Sequence, residues 1–301
     1  MKPNKENILY APLYALLLLL AMLPFRILYI LSDLLFFPLF YIVRYRRKLV
    51  FENMRASFPG KSDSEIKRME KAFYRHLCDY AVETVKLLHV SDKSVRKRFE
   101  MVNIGLLQES VDNREQVILM LGHFGNWEYI PSIKIWLDAP ENAALGEVYR
   151  PLNNKWFDAF FLKLRSRFGT VNIPKRDVLR EMIRYKRDNI PAVIGFMADQ
   201  TPSRANIYYW TEFLNHKDTP VLTGIERIAK KLKCTLIYTD VIKVKRGYYK
   251  IVFDLITKNP AEYKDFELTE IYVRRMEKTI ERAPEYWLWT HNRWKHKRLD
   301  R

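Results

Sequence analysis

Residues Leu119 to Glu128 read Leu-Met-Leu-Gly-His-Phe-Gly-Asn-Trp-Glu, a spacing of groups that can do acid–base chemistry. An apolar run, Val117 to Leu121, enters a glycine, then His123, a second glycine, and an acid, Glu128, five residues past the histidine. On a continuous helix, positions i and i+5 do not share a face. The two side chains therefore meet only if the backbone is still non-helical at His123. Gly122 and Gly125 permit such a turn, and Asn126 is a good N-cap with Trp127 and Glu128 in the first turn behind it. A carboxylate on one imidazole nitrogen fixes the tautomer and leaves the other nitrogen free as a base. This is the base and orienter of a triad without its nucleophile. No Ser, Thr or Cys lies in the motif, so the attacking group is expected to be a hydroxyl of the substrate. The competing reading is a buried structural histidine beside a solvated acid at a helix start.

The flanking pattern supplies elements to position these residues. Residues 116–121 read as a strand, 127–137 as a helix with Pro131 in its first turn, and 143–149 as a strand ending at Arg150-Pro151. Next come a helix over 153–168, with Arg165 and Arg167 near its end and Gly169 stopping it, and a short strand over 171–173. A helix over 176–187 then leads to a strand over 190–198 that ends at Asp199-Gln200. Such alternation predicts an α/β fold with a mainly parallel central sheet flanked by helices. His123, Arg150 and Asp199 then fall just past the carboxyl ends of strands, where open α/β sheets place ligand sites. Arg150 is suited to hold a phosphate by paired hydrogen bonds. Asp199 is placed to orient Arg150 or the acceptor, and Asn126 beside His123 joins them as a candidate substrate-binding residue.

Elsewhere, 51–88 reads as helical, with Ser62 and Glu65 at capping-box spacing and with His76 and His89 taken as structural. Residues 90–100 form a basic connector, 220–233 and 269–282 are helices, and 234–243 with 248–256 make a hairpin around Lys245-Arg246-Gly247. The aromatic stretch 207–219 is irregular and either lines a ligand path or belongs to the core. Trp287, Trp289 and Trp294 lie among Arg293, Lys295, Lys297 and Arg298. That mixture suits a membrane interface; the alternative is tryptophan in the core with a solvated basic tail.

The chain of 301 residues is 48% hydrophobic and 14% aromatic, enough for a large core. Its 52 Lys and Arg against 35 Asp and Glu give a net charge of +17. That balance suits nucleic acid, an anionic membrane or an acidic protein. No zinc finger, RNP-like motif or basic helix with base-reading residues is present, so no nucleic-acid partner is expected. Cys78 and Cys234 make neither a disulfide framework nor a CxxC pair and read as core thiols. No metal site is expected, because His123 and Glu128 alone are too few ligands.

At the N-terminus, 8–25 is a run of 18 residues without a charge, about the minimum for a membrane span. No small-residue cleavage site of a signal peptide follows it. Arg26 leads instead into 27–43, with only Asp33 charged, and then into Arg44, Arg46, Arg47 and Lys48. Either 8–25 spans and 27–43 lies on the surface, or both form a shallow hairpin. Asp33 and Pro38 tell against a clean second span, and a buried core helix is the alternative for 27–43. The basic cluster is expected on the cytoplasmic side, near anionic headgroups. The expected division is an anchor and interfacial segment, 1–48, and a catalytic domain, 49–301.

Gly122 to Glu128 resembles the histidine-x4-acid motif of the glycerolipid acyltransferases, and more narrowly that of the late lipid A acyltransferases. Those enzymes transfer a fatty acyl chain to a hydroxyl of a lipid A precursor. Val148 to Asn154, Ala198-Asp199-Gln200, Phe213 to Gly224 and Pro284 to Lys295 resemble the same family in the same order. The match extends from about Tyr29 to Lys295. Phe213-Leu214-Asn215-His216 departs from it, standing where an aromatic pair followed by glycine is expected. The resemblance implies a glycerolipid acyltransferase-like fold and acyl transfer from a thioester to a lipid hydroxyl, with His123 as base, Glu128 as its orienter and Arg150 functional. It implies an acyl carrier protein as donor, although the net charge suits CoA equally, and no cofactor beyond that acyl thioester. It also implies a place at the bacterial inner membrane with the catalytic domain facing the cytoplasm. Two rivals remain: an O-acyltransferase of a lyso-phospholipid or aminolipid using the same dyad, and a basic membrane-associated binding protein without the chemistry. The retained histidine and acid tell against the second.

Overall fold

The computed structural model describes residues 5–298. The chain opens on α1 (Lys5–Met22) and α2 (Phe25–Phe37), which continues into a π-helical turn, Pro38–Val43. Then come α3 (Arg47–Ser57), α4 (Asp63–Lys86), α5 (Asp92–Arg98), β1 (Phe99–Val102), α6 (Gly105–Asp112) and β2 (Gln116–Leu121). A 3₁₀ helix, Trp127–Ile135, precedes β3 (Ala144–Tyr149), α7 (Lys155–Arg165), β4 (Val171–Pro174), α8 (Val178–Arg187) and β5 (Ala192–Met197). The remainder is β6 (Trp210–Phe213), β7 (His216–Pro220), α9 (Gly224–Leu232), β8 (Thr235–Lys245), β9 (Tyr248–Thr257) and α10 (Glu267–Arg282).

The expected fold class is the observed one. Seven strands form a sheet in the order β1-β9-β8-β2-β5-β3-β4, with every neighbouring pair parallel except the β8/β9 hairpin. β2 is buried along its whole length and β5 is almost wholly so. That follows from their unbroken apolar sequences and from the helices covering both faces. Leu121 of β2 is in register with Met197 of β5. Two residues further along each strand stand His123 and Asp199, so the sheet itself delivers them to one level.

Several local expectations give way to backbone chemistry. The 51–88 helix is broken by Phe58-Pro59-Gly60, and α4 starts at the predicted Ser62–Glu65 capping box. The 90–100 connector contains a strand: Phe99 and Met101 turn inward and β1 pairs parallel with β9. Residues 127–135 form a 3₁₀ helix with Pro131 inside it, where the missing N–H of proline is tolerated in a short helical piece. The irregular 207–219 stretch is the β6–β7 hairpin. Its two turn residues, Leu214 and Asn215, both take positive φ, 50° and 64°. Tight hairpins require that geometry, which explains why glycine is the expected residue there.

At the N-terminus α1 ends at Met22, and the chain breaks at Leu23-Pro24 before α2. Among the described residues, the stretch Phe25–Val43 is long and apolar enough to cross a membrane. Pro38 keeps right-handed helical angles where α2 enters the π turn, so it does not stop the helix. Asp33 is neutralised by Arg246, which donates to both of its oxygens at 3.0 and 2.7 Å. One side of α2 is tied to α4: Ser32 donates to Asp79 at 2.7 Å and Tyr29 to Glu83 at 3.0 Å. The other side is bare. Eleven of the eighteen large exposed apolar side chains among the described residues fall between Leu16 and Val43. Residues 1–4 of the expected anchor and 299–301 of the expected catalytic domain lie outside the described residues.

The tryptophan-rich tail belongs to the core rather than to a membrane interface. Trp287 and Trp289 are buried, and Trp294 stacks on His216 at 3.8 Å between centroids. Asn53 of α3 donates to the carbonyls of Trp289 and His291, at 3.2 and 3.3 Å. An indole buries a large apolar body and still needs a partner for its N–H. For Trp287 that partner lies in the active-site region.

Candidate active site

β2 stops at Gly122, whose missing side chain leaves room for Met276 of α10. The chain then turns through His123 and Phe124 to Gly125, at φ +63°. The His123 backbone N–H donates to Asp199 Oδ2 at 2.8 Å, and its ring Nδ1 lies 2.8 Å from Asp199 Oδ1. Trp287 Nε1 also donates to Asp199 Oδ2, at 2.8 Å. A carboxylate only accepts, so the ring proton sits on Nδ1 and Nε2 carries the lone pair. Gln200 Nε2 stands 3.3 Å from that nitrogen. Burial alone would raise the Asp199 pKa. The His123 charge and the three donors outweigh it and hold the group at about 2. Asp199 is therefore a carboxylate at any working pH.

The sequence reading gave Glu128 the task of orienting His123; in the structure Asp199 makes that contact. The 3₁₀ helix carries Glu128 to a different partner, Arg165 at the end of α7. Arg165 donates Nε to Glu128 Oε2 and Nη2 to Oε1, each at 2.8 Å. Trp127 Nε1 and Tyr80 Oη add donors at 3.2 and 3.4 Å. Glu147 Oε1 of β3 lies 2.9 Å from Arg165 Nε, but that N–H is directed to Glu128. Glu147 Oε1 is thus charge-paired with no hydrogen-bond partner among the described residues. Its burial raises its pKa, the neighbouring Glu128 adds to the rise, and Arg165 opposes it; the outcome is about 7.

A cavity of about 820 Å³ opens over these groups. His123, Glu128, Glu147 and Arg165 line its polar end. Phe161 and Leu162 of α7, Val178 and Leu179 of α8, Phe196 of β5, and Ile225 and Ile228 of α9 line an apolar wall. Arg150, Lys175, Arg227 and Lys231 supply cations around it. Arg150 is where the sequence reading placed it, exposed just past β3. Asn126 does not line the cavity: it is fully buried, its side chain does not cap the helix, and it donates Nδ2 to Glu83 Oε2 at 2.9 Å. It ties the turn to α4. Phe213 likewise packs on Trp287, outside the cavity lining.

Sequence reasoning left Arg165, Glu147, Gln200 and Trp287 without roles at this site. For two of them a signal was present. Arg165 follows Phe161 by four residues on the inward face of α7, where a cation needs a buried partner. Glu147 interrupts an otherwise apolar strand. Trp287→Phe is expected to lower kcat by about ten-fold with KM little changed, through loss of roughly 1.4 kcal/mol of charge-assisted bonding to Asp199. Steady-state kinetics at saturating donor checks this.

The histidine–carboxylate pair, the apolar wall and the cations around it suit acyl transfer to a lipid hydroxyl. A search of curated proteins gives no match. The family model for bacterial lipid A biosynthesis acyltransferase matches residues 6–296, nearly the whole chain. The chain accordingly belongs to the bacterial lipid A biosynthesis acyltransferase family, and it is an acyltransferase with a lipid acceptor.

Proposed function

We propose that the chain moves a fatty acyl group from a thioester of acyl carrier protein or CoA to a hydroxyl of a lipid A precursor, with His123 as general base and Asp199 as its orienting carboxylate. The observation that carries this reading is the His123 Nδ1–Asp199 contact at 2.8 Å in a histidine that lines the cavity, with the Gln200 amide 3.3 Å from Nε2. The acceptor hydroxyl takes the position held by the Gln200 amide and gives its proton to Nε2 as its oxygen attacks the thioester carbonyl carbon. The C–S bond then breaks, and the imidazolium returns the proton to the leaving thiolate. Asp199 stabilises the imidazolium between these steps, and base catalysis of this kind contributes about 10²–10⁴-fold. Glu128 acts through Arg165, pinning its guanidinium at the cavity wall. Arg150, Lys175, Arg227 and Lys231 receive phosphates of the acceptor or donor. The apolar wall takes the acyl chain.

The segment 1–48 serves as the anchor, with the bare face of Phe25–Val43 in the bilayer of the inner membrane. The Arg44–Lys48 cluster sets the catalytic domain on the cytoplasmic side. The net charge of +17 suits an acidic carrier protein and an anionic CoA thioester equally, and the family resemblance favours the carrier protein.

Membranes carrying the chain are assayed with acyl carrier protein thioesters, then CoA thioesters, and a tetra-acylated lipid A precursor. The expected product is heavier by one acyl chain, formed faster from the carrier protein and lost in His123→Ala. Activity surviving His123→Ala would end the proposed mechanism. Equal rates from both donors would remove the carrier-protein preference.

A further inference from the structure

A second cavity, of about 400 Å³, lies on the far side of α4 and shares no lining residue with the first. Arg68, Lys71 and Arg75 reach it from α4 at i, i+3 and i+7, which places them on one face of that helix. Lys243 of β8 forms a fourth cation. The lining acids are Asp79 and Glu285. Asp79 is already engaged, accepting from Arg246 at 2.7 Å and from Ser32 at 2.7 Å. Arg68, Lys71 and Arg75 make no ion pair among the described residues. Lys243 pairs with Asp79 Oδ2 at 3.5 Å. It donates to His76 Nδ1 at 3.2 Å, and His76 Nε2 in turn donates to the Gly125 carbonyl at 3.2 Å. A concave site with this surplus of positive charge calls for an anion.

Its surroundings indicate the source of that anion. Arg75 stands over the Phe36 ring at 5.3 Å and Lys71 over the Tyr41 ring at 6.0 Å. Both rings belong to the N-terminal apolar helices. Tyr41 adjoins Phe37, Ile42 and Val43, which are 59%, 69% and 66% exposed. The cations thus border the bare apolar face. A molecule with a phosphate for the pocket and hydrocarbon for that face satisfies both at once.

We propose that the Arg68–Lys71–Arg75–Lys243 pocket holds the phosphate of an anionic membrane phospholipid, as a docking site separate from the acyl-transfer centre. The proposal rests on the reading that the face of Phe25–Val43 lies in the bilayer. Basic residues near an anionic surface each contribute on the order of 1 kcal/mol to such binding, so two removed cations should weaken it by about ten-fold or more.

The test uses the purified full chain in nonionic detergent. Soluble short-chain phosphatidylglycerol, short-chain phosphatidylcholine and inorganic phosphate are titrated against wild type and Arg68→Gln/Arg75→Gln by calorimetry, and unfolding temperatures verify that the variant folds. Binding of phosphatidylglycerol alone, weakened about ten-fold or more in the variant, is the expected result. Equal binding by variant and wild type overturns the pocket. Inorganic phosphate binding as tightly as phosphatidylglycerol overturns the lipid source. An acyl carrier protein that competes with phosphatidylglycerol for the pocket overturns it in favour of a protein partner. Flotation with vesicles separates the two readings. A chain that floats with neither zwitterionic nor anionic vesicles, yet binds soluble phosphatidylglycerol, keeps the pocket and loses the membrane-lying face.

Discussion

Asp199→Asn is expected to lower kcat by about 10²–10⁴-fold while leaving KM within a few-fold, because it reverses the His123 tautomer. The wild-type carboxylate accepts three N–H groups: the His123 backbone and Trp287 on Oδ2, and the His123 ring on Oδ1. An asparagine must place its one oxygen where two donors already point, at the Oδ2 position. Its amide NH₂ then faces the His123 ring and donates to Nδ1. The ring proton moves to Nε2, the nitrogen turned to the cavity, and the base is lost. The substitution changes no volume, and Asp199 does not line the cavity, so substrate binding is spared. Steady-state kinetics together with the nitrogen shifts of the His123 ring would check both parts. Glu128→Gln, whose carboxylate bonds Arg165 and not the ring, should leave those shifts unchanged. If instead Glu128→Gln moves the tautomer and Asp199→Asn does not, the orienting residue is Glu128.

That contrast shows how far the sequence could be read. The strands that carry His123, Arg150 and Asp199 were legible from apolar runs ending in turn residues, and so was the placement of all three past strand ends. The pairing was not. A spacing of five residues suggested Glu128 because local distance is all that a linear motif displays. The partner is 76 residues away in sequence and is set by the register of β2 on β5. Asn126 is a related case: its type suits a cap, but its side chain bonds Glu83 on α4 instead. The tryptophans of the tail carry the composition of a membrane interface, and only the packing of α3 and the His123 loop against them shows that they belong inside. At the N-terminus, hydropathy located two apolar runs, but Pro24 decided where the first helix stops and the second begins.

Arg165→Met is the substitution expected to cost most stability, about 3–5 kcal/mol, because it strands two buried carboxylates that share one guanidinium. The loss should depend on pH in a defined sense. Glu147 has a folded pKa raised to about 7 from an ordinary 4.5. A carboxyl with a raised folded pKa contributes stability that is complete below its unfolded pKa and is lost as pH rises through the folded one. In wild type that window runs from about 4.5 to about 7. Arg165 opposes the rise, so its removal pushes Glu147 higher and carries the loss further into alkaline pH. Denaturant unfolding of Arg165→Met should therefore fall furthest behind wild type near pH 8 and recover toward about pH 4.5. Adding Glu147→Gln should recover much of the deficit at pH 8, because the amide takes up no proton on folding and Glu128 alone is then left as an unpaired buried carboxylate. In the wild-type background, Glu147→Gln alone should stabilise the chain at pH 8 by up to about 3 kcal/mol. A stabilising change left unused in a cavity wall points to work for the Glu147 charge on Arg165. The same variant should then show reduced kcat at the pH where it is more stable. Equal activity there would assign Glu147 to packing and leave Glu128 as the sole anchor of Arg165.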